Sequence, residues 1–280
     1  MNIKLSNILT LFLLFACSLF LNSSFATEQK LMIPGKLQGK EIRNPYIHEL
    51  LQLIFNKLDI DLTIDYSSGG LTQGRALKAL ADGNLINLNW SVTTKDREQQ
   101  LLPIRIPIYK GLIGWRVFYI RTADQAIFSQ INNVNDLQKL LAIQRFDWPD
   151  YKILLANSFK VEGDIAFNRM HNAVISGLAD FYPRSILEVI GESDNYNLNN
   201  KGLSIERSLL IKYPSAHYFF VNIKDVTLAK NIEKGFRLAI EDGSFESLFQ
   251  DYYGENLKKL ELEKRRTFEL KNPYFPEPQQ

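Results

Sequence analysis

Residues 90–109 read WSVTTKDREQQLLPIRIPIY, and the reading of this stretch decides both fold and site. Arg97 follows a polar Thr93-Thr94 pair and precedes an apolar, proline-containing run. An arginine carries a permanent charge and a planar fork of donors, so it can clasp a carboxylate through two parallel hydrogen bonds. Thr94 can add a hydroxyl to the same anion, and Trp90 and Tyr109 can offer flat apolar walls. The plainer alternative is an arginine on a solvated turn beside a buried strand.

Outward from this stretch, strand-like and helix-like patterns alternate, as in an α/β fold. Residues 31–33 read as a short strand. Residues 45–58 carry apolar side chains at Ile47, Leu50, Leu51, Ile54, Phe55 and Leu58, one face of a helix with Asn44 as N-cap. A strand at 62–66, a helix at 71–81 and a buried strand at 85–88 follow. Two β-α-β units of this kind wind into a parallel sheet through right-handed crossovers. Ligands of open sheets bind beyond the carboxyl ends of strands, which is where Trp90 to Arg97 falls. Further on, 112–121 and 140–146 read as strands, 148–156 as a helix and 159–161 as a strand. Helices at 165–175, 183–190, 226–242 and 245–253 and strands at 178–182, 205–211 and 218–222 complete the map.

Thr94-Lys95-Asp96-Arg97 fits the T-x-x-R element of family 3 periplasmic solute-binding proteins, and the chain resembles that family over almost its whole mature length. The second half of the signature departs from the pattern. Pro107 comes one residue late, and Ile104-Arg105 stand where Phe-Ser is typical. The resemblance implies a two-lobed type II periplasmic binding-protein fold with a ligand cleft between lobes and two interlobe crossovers, near 117–121 and 213–221. The implied division places 27–121 and 214–280 in lobe I and 122–213 in lobe II. Hinge closure over the ligand is the usual motion of that architecture.

In the second half, Arg145-Phe146-Asp147-Trp148 occupies the position of a ligand-contacting loop in that family. Trp148 can stack on a planar ligand or a cation. Asp147 can accept from a ligand amine or cap the helix that follows. Arg184 is expected at a helix start, where a cation gains nothing from the dipole. It therefore calls for an anionic partner, either a ligand or Glu188 four residues on.

Lys4, an apolar run from Ile8 to Leu21 and Ser24-Phe25-Ala26 describe a cleaved secretory signal peptide over residues 1–26. The run of about 14 residues is short of the roughly 20 that span a bilayer. Lipidation at Cys17, the single cysteine, is the alternative processing route. Cleavage after Ala26 leaves 254 of the 280 residues, without cysteine and with the net charge lowered from +2 to +1 by loss of Lys4. Such a chain relies on its core rather than on disulfides. Near neutrality also argues against a nucleic-acid binder.

These readings lead to a monomeric, periplasmic, non-enzymatic binding protein for a small anionic or zwitterionic, amino-acid-like solute. Arg97, Trp90, Thr94, Tyr109, Trp148, Arg184 and Asp147 form its expected site. A membrane permease of the ABC type or a sensor kinase is the expected partner, and no cofactor or metal is expected. The rival is a periplasmic enzyme on the same fold, similar to cyclohexadienyl dehydratase. It needs a tuned acid or base. Of His48, His171 and His217, His217 alone lies near the expected hinge, where a satisfied buried histidine is the plainer role.

Overall fold

The computed structural model describes residues 27–35 and 44–276; the expected signal segment and Cys17 lie outside the described residues. In chain order the elements are β1 (Thr27–Gly35), α1 (Pro45–Asn56), β2 (Ile60–Gly70), α2 (Gln73–Ala81), β3 (Asn89–Val92), α3 (Lys95–Gln100) and β4 (Leu101–Ile104). Then come β5 (Trp115–Arg121), α4 (Gln125–Ser129), α5 (Val134–Leu137), β6 (Leu141–Ile143), α6 (Pro149–Ala156), β7 (Lys160–Glu162), α7 (Met170–Ile175), β8 (Phe181–Ser185) and α8 (Val189–Tyr196). The chain closes with β9 (Leu203–Ile205), β10 (Leu209–Lys212), β11 (His217–Asn222), α9 (Val226–Glu241), α10 (Ser244–Lys259) and β12 (Arg266–Glu269). The fold is two-lobed.

Lobe I is built around α1. Asn44 accepts from the Ile47 N–H and Pro45 occupies the first turn, so the helix starts where the sequence places it. Its apolar face, Tyr46, Ile47, Leu50, Leu51, Ile54 and Phe55, is buried against α9 and α10. Gly235 permits the close approach of α9, because a Cβ there would lie 2.1 Å from the Ile54 carbonyl oxygen. β1 and β2 pair in parallel as expected. The third strand differs. Asn87 uses its side chain and backbone to bond Met32 and Lys30 of β1, and extended pairing begins only at Asn89. β3 then joins β11 and β4 in a separate antiparallel sheet, order β3-β11-β4, in place of the expected three-stranded parallel one.

Lobe II is a mixed sheet in the order β12-β10-β5-β8-β6-β7, with β9 beside β5. The expected helix at 183–190 is overturned: Pro183, Arg184 and Ser185 stay in β8, paired with Phe118, Val117 and Arg116 of β5, and α8 begins at Val189. The first interlobe crossover also lies earlier than expected. Residues 117–121 are wholly inside lobe II, and the chain crosses at Gly114, whose carbonyl accepts from the Tyr213 N–H at 3.1 Å. A Cβ at Gly114 would meet the Tyr213 carbonyl oxygen at 2.1 Å, so only glycine lets the two crossing strands touch. Assignment of all of 214–280 to lobe I is corrected as well. After α10 packs on lobe I, the chain crosses a third time and β12 pairs with β10 in lobe II. Buried Arg265 fixes that crossing by donating to the carbonyls of Leu260 and Leu209.

Candidate functional site

The lobes enclose a cavity of about 330 Å³, walled by Gln73, Asn89 and Trp90 from lobe I and by Arg116, Trp148 and Arg184 from lobe II. A second cavity of about 450 Å³ adjoins it, sharing Trp148 and Pro149 and reaching Thr94, Arg97, Asp147 and Tyr274.

Arg97 is held from three sides. Thr94 caps α3 by accepting from the Arg97 N–H at 3.2 Å, which fixes the backbone that presents the side chain. The guanidinium Nη1 donates to Ser91 Oγ (2.8 Å) and to the Val92 carbonyl, and Nη2 donates to Gln73 Oε1 (3.0 Å). All three acceptors are uncharged. Among the described residues no carboxylate lies within ion-pair distance of Arg97, and its Nε–H has no partner. Burial lowers the guanidinium to about 10, with Asp150 and then Asp147 acting in the opposite sense. An arginine oriented by neutral acceptors, partly dehydrated and lacking a counter-ion is prepared for an anion.

The lobe II arginines are different. Arg116, buried in β5, pairs with Asp150 and lies 3.8 Å from Glu188. Arg184, equally buried in β8, pairs with Glu192 and, at 3.2 Å, with Glu188, while its guanidinium lies over the Trp148 ring at 5.4 Å. Tyr213 donates its hydroxyl to Asp150. The expectation for Arg184 at a helix start is thus corrected, because its carrier is a strand. It does face the cleft, but carboxylates of its own lobe already neutralise it. Two arginines against Asp150, Glu188 and Glu192 leave this wall formally one negative charge in excess.

Trp90 and Trp148 line the cavities from opposite lobes, and Thr94 lines the second cavity besides capping α3. Asp147 also lines the second cavity, but it neither caps α6, whose N-cap position falls on Trp148, nor stands free: Arg145 donates to it at 2.7 and 2.8 Å. Tyr109 is removed from the site. It is buried, stacked on Tyr46 at 5.4 Å and bonded to Asn44, drawn into an aromatic group with Tyr253. Gln73, Arg116 and Asp150 are cleft residues that sequence reasoning missed, and His217, expected near the hinge as a satisfied buried histidine, lines the cavity with an unsatisfied nitrogen. Arg116 carried a usable signal, a cation inside the apolar run Trp115-Arg116-Val117-Phe118, since a buried charge demands a partner.

His217 lines the first cavity, edge-on to Tyr109, with Nδ1 buried and unpartnered. Burial first, then Arg116, drive its imidazole down to about 3, with Asp150 opposing, so it is neutral at ordinary pH. Among the described residues no group of three or more His, Cys, Asp or Glu side chains is arranged to hold a metal ion, and no helix is long and apolar enough to cross a membrane.

No protein-family model matches the sequence, and no curated protein matches it. Solved structures share the fold. A putative binding component of an ABC transporter from Wolinella succinogenes, complexed with lysine, aligns with TM-score 0.59 and 11% identity over 81% of this chain and 95% of its own. A probable amino-acid ABC transporter extracellular-binding protein from Bacillus subtilis gives 0.58 and 18% over 82% and 100%. A histidine kinase sensor domain with similarity to periplasmic binding proteins gives 0.55 and 13% over 75% and 86%. At these identities the likeness establishes the two-lobed periplasmic binding-protein fold.

Proposed function

We propose that this protein binds a small, amino-acid-like carboxylate solute in the interlobe cleft, in the periplasm, and presents it to an ABC-type permease or a membrane sensor. The observation that carries the reading is Arg97. Its guanidinium is oriented by Ser91, Val92 and Gln73 and lacks a carboxylate among the described residues, and the residue lines the second cavity. A ligand carboxylate would supply the missing counter-ion, and Trp90 and Trp148 would close over its body. A few placed polar groups in a largely apolar cleft are the usual makeup of small-molecule sites. The fold neighbours, a binding component complexed with lysine, an amino-acid transporter's binding protein and a kinase sensor domain, support both the ligand class and the two possible outputs.

A catalytic role would need an acid or base matched to its working pH. His217 is the histidine placed in the cleft, and an imidazole held down to about 3 is a poor general base near neutrality, while Asp150 and Glu188 of the same cavity are paired with Arg116 and Arg184. Binding is therefore the better use of this geometry. Native mass spectrometry of the purified mature protein, followed by calorimetric titration, tests the reading. A co-purifying carboxylate that binds one to one is expected. Saturating binding of an uncharged solute that competes with every carboxylate for the cleft would overturn it.

A further inference from the structure

The segment after β12 does not stay with lobe II. Leu270 is buried in the lobe II core, and Asn157, at the end of α6, clasps Lys271 by accepting from its N–H (3.0 Å) and donating to its carbonyl (2.7 Å). Asn272 donates to the carbonyl of Pro214 in the interlobe crossover. The Tyr274 carbonyl then accepts from the Lys95 N–H at the start of α3, and Phe275 packs against a lobe I cluster. Residues 270–276 therefore form a strap across both lobes. Its middle, Pro273 and Tyr274, lines the second cavity together with Arg97, Phe146 and Trp148. Phe146 is an exposed aromatic that no core cluster uses, and it lies in the lining of this cavity.

We infer that this cavity is the specificity subsite of the cleft: the strap's Tyr274, with Phe146 and Trp148, receives an apolar or aromatic side chain of a ligand whose carboxylate is held by Arg97. The inference rests on the carboxylate reading of Arg97. Aromatic walls would also suit a cation, but the surroundings oppose one. Lys95, Arg97 and Lys152 line the same space against Asp96 and Asp147, Arg145 neutralises Asp147, and the Arg184 guanidinium already lies over the Trp148 ring. Burying a phenyl group there favours phenylalanine over alanine by roughly tenfold or more.

The test is calorimetric titration of the full mature protein with L-alanine, L-phenylalanine, L-glutamate and L-lysine. Phenylalanine is expected to bind roughly tenfold or more tighter than alanine. Tyr274→Ala and Phe146→Ala should each narrow the phenylalanine-to-alanine ratio severalfold, whereas Tyr274→Phe should keep it. Phe146 is exposed, so its variant should fold even if the Tyr274 variant loosens the strap. Equal binding of all four probes, tighter binding of lysine or glutamate, or a ratio untouched by both alanine variants overturns the subsite while leaving the Arg97 reading in place. Failure of all four probes to bind removes the carboxylate reading and the subsite with it.

Discussion

Replacing Arg97 by alanine should change two measurements at once, and the structure sets both. In the bound state the variant loses a charge-assisted interaction worth about 1.5–3 kcal/mol, which is roughly ten- to a hundredfold in affinity. In the free protein it removes the donor to Ser91 Oγ, the Val92 carbonyl and Gln73 Oε1, of which Ser91 is fully buried. Each such bond contributes about 0.5–1.5 kcal/mol net, and water entering the vacated space recovers part of it. A loss of about 1–3 kcal/mol results, with a fall in melting temperature of about 2–4 °C per kcal/mol. Arg97→Lys should restore part of the affinity only, because an ammonium cannot reproduce the planar fork. Gln73→Ala keeps the charge but releases one of its supports, so affinity should drop by less than in Arg97→Ala. Calorimetric titration of the co-purifying solute gives the affinities, and thermal unfolding without ligand gives the stabilities. If Arg97→Ala binds as tightly as the parent, the guanidinium serves lobe I alone and the reasoning fails.

Two further changes should be readable. Arg116→Ala leaves the Asp150 carboxylate buried beside Tyr213 without its cation, a loss of about 3–5 kcal/mol in denaturant unfolding, and Arg116→Met combined with Asp150→Leu should recover most of it. His217 is held at about 3 in the folded protein against an ordinary 6.5, so the unfolded chain binds its proton first. Stability from this group is therefore complete above about pH 6.5 and declines as pH falls toward 3, by at most about 1.4 kcal/mol per pH unit. Urea unfolding of His217→Gln across that range should show a shallower pH dependence than the parent, and an identical slope would contradict the assignment.

Much of lobe I is legible because its signals are local. Asn44 before Pro45, and apolar residues three and four apart through Phe55, specify α1 without reference to anything distant. The T-x-x-R spacing is likewise local: one hydroxyl caps the turn that presents one guanidinium. The strand at 85–88 was misplaced because Asn87 completes the bonding of β1 with a side chain, which no hydrophobic pattern reveals. The helix expected at 183–190 failed for a related reason. Pro183 and the Arg184–Glu188 spacing both look like a helix start, but pairing with β5 overrides that preference, and Arg184 reaches Glu192 from a strand.

What stayed hidden in the site depends on contacts between residues far apart in sequence. Tyr109 reads as a cleft wall until Tyr46 stacks on it from α1. Asp150 reads as an acid that merely suits the first turn of α6 until Arg116, on a strand more than thirty residues earlier, turns it into half of a buried pair. The same logic explains the strap. Asn272-Pro273-Tyr274 reads as an unremarkable turn after a short strand, and its role exists only because Asn157 of lobe II and Lys95 of lobe I meet it from opposite sides. Lys271, Pro273 and Tyr274 of the strap are exposed, so hydrophobic periodicity is silent about them. Arg97 is legible for the opposite reason, because a cap and a charge mark it within four residues.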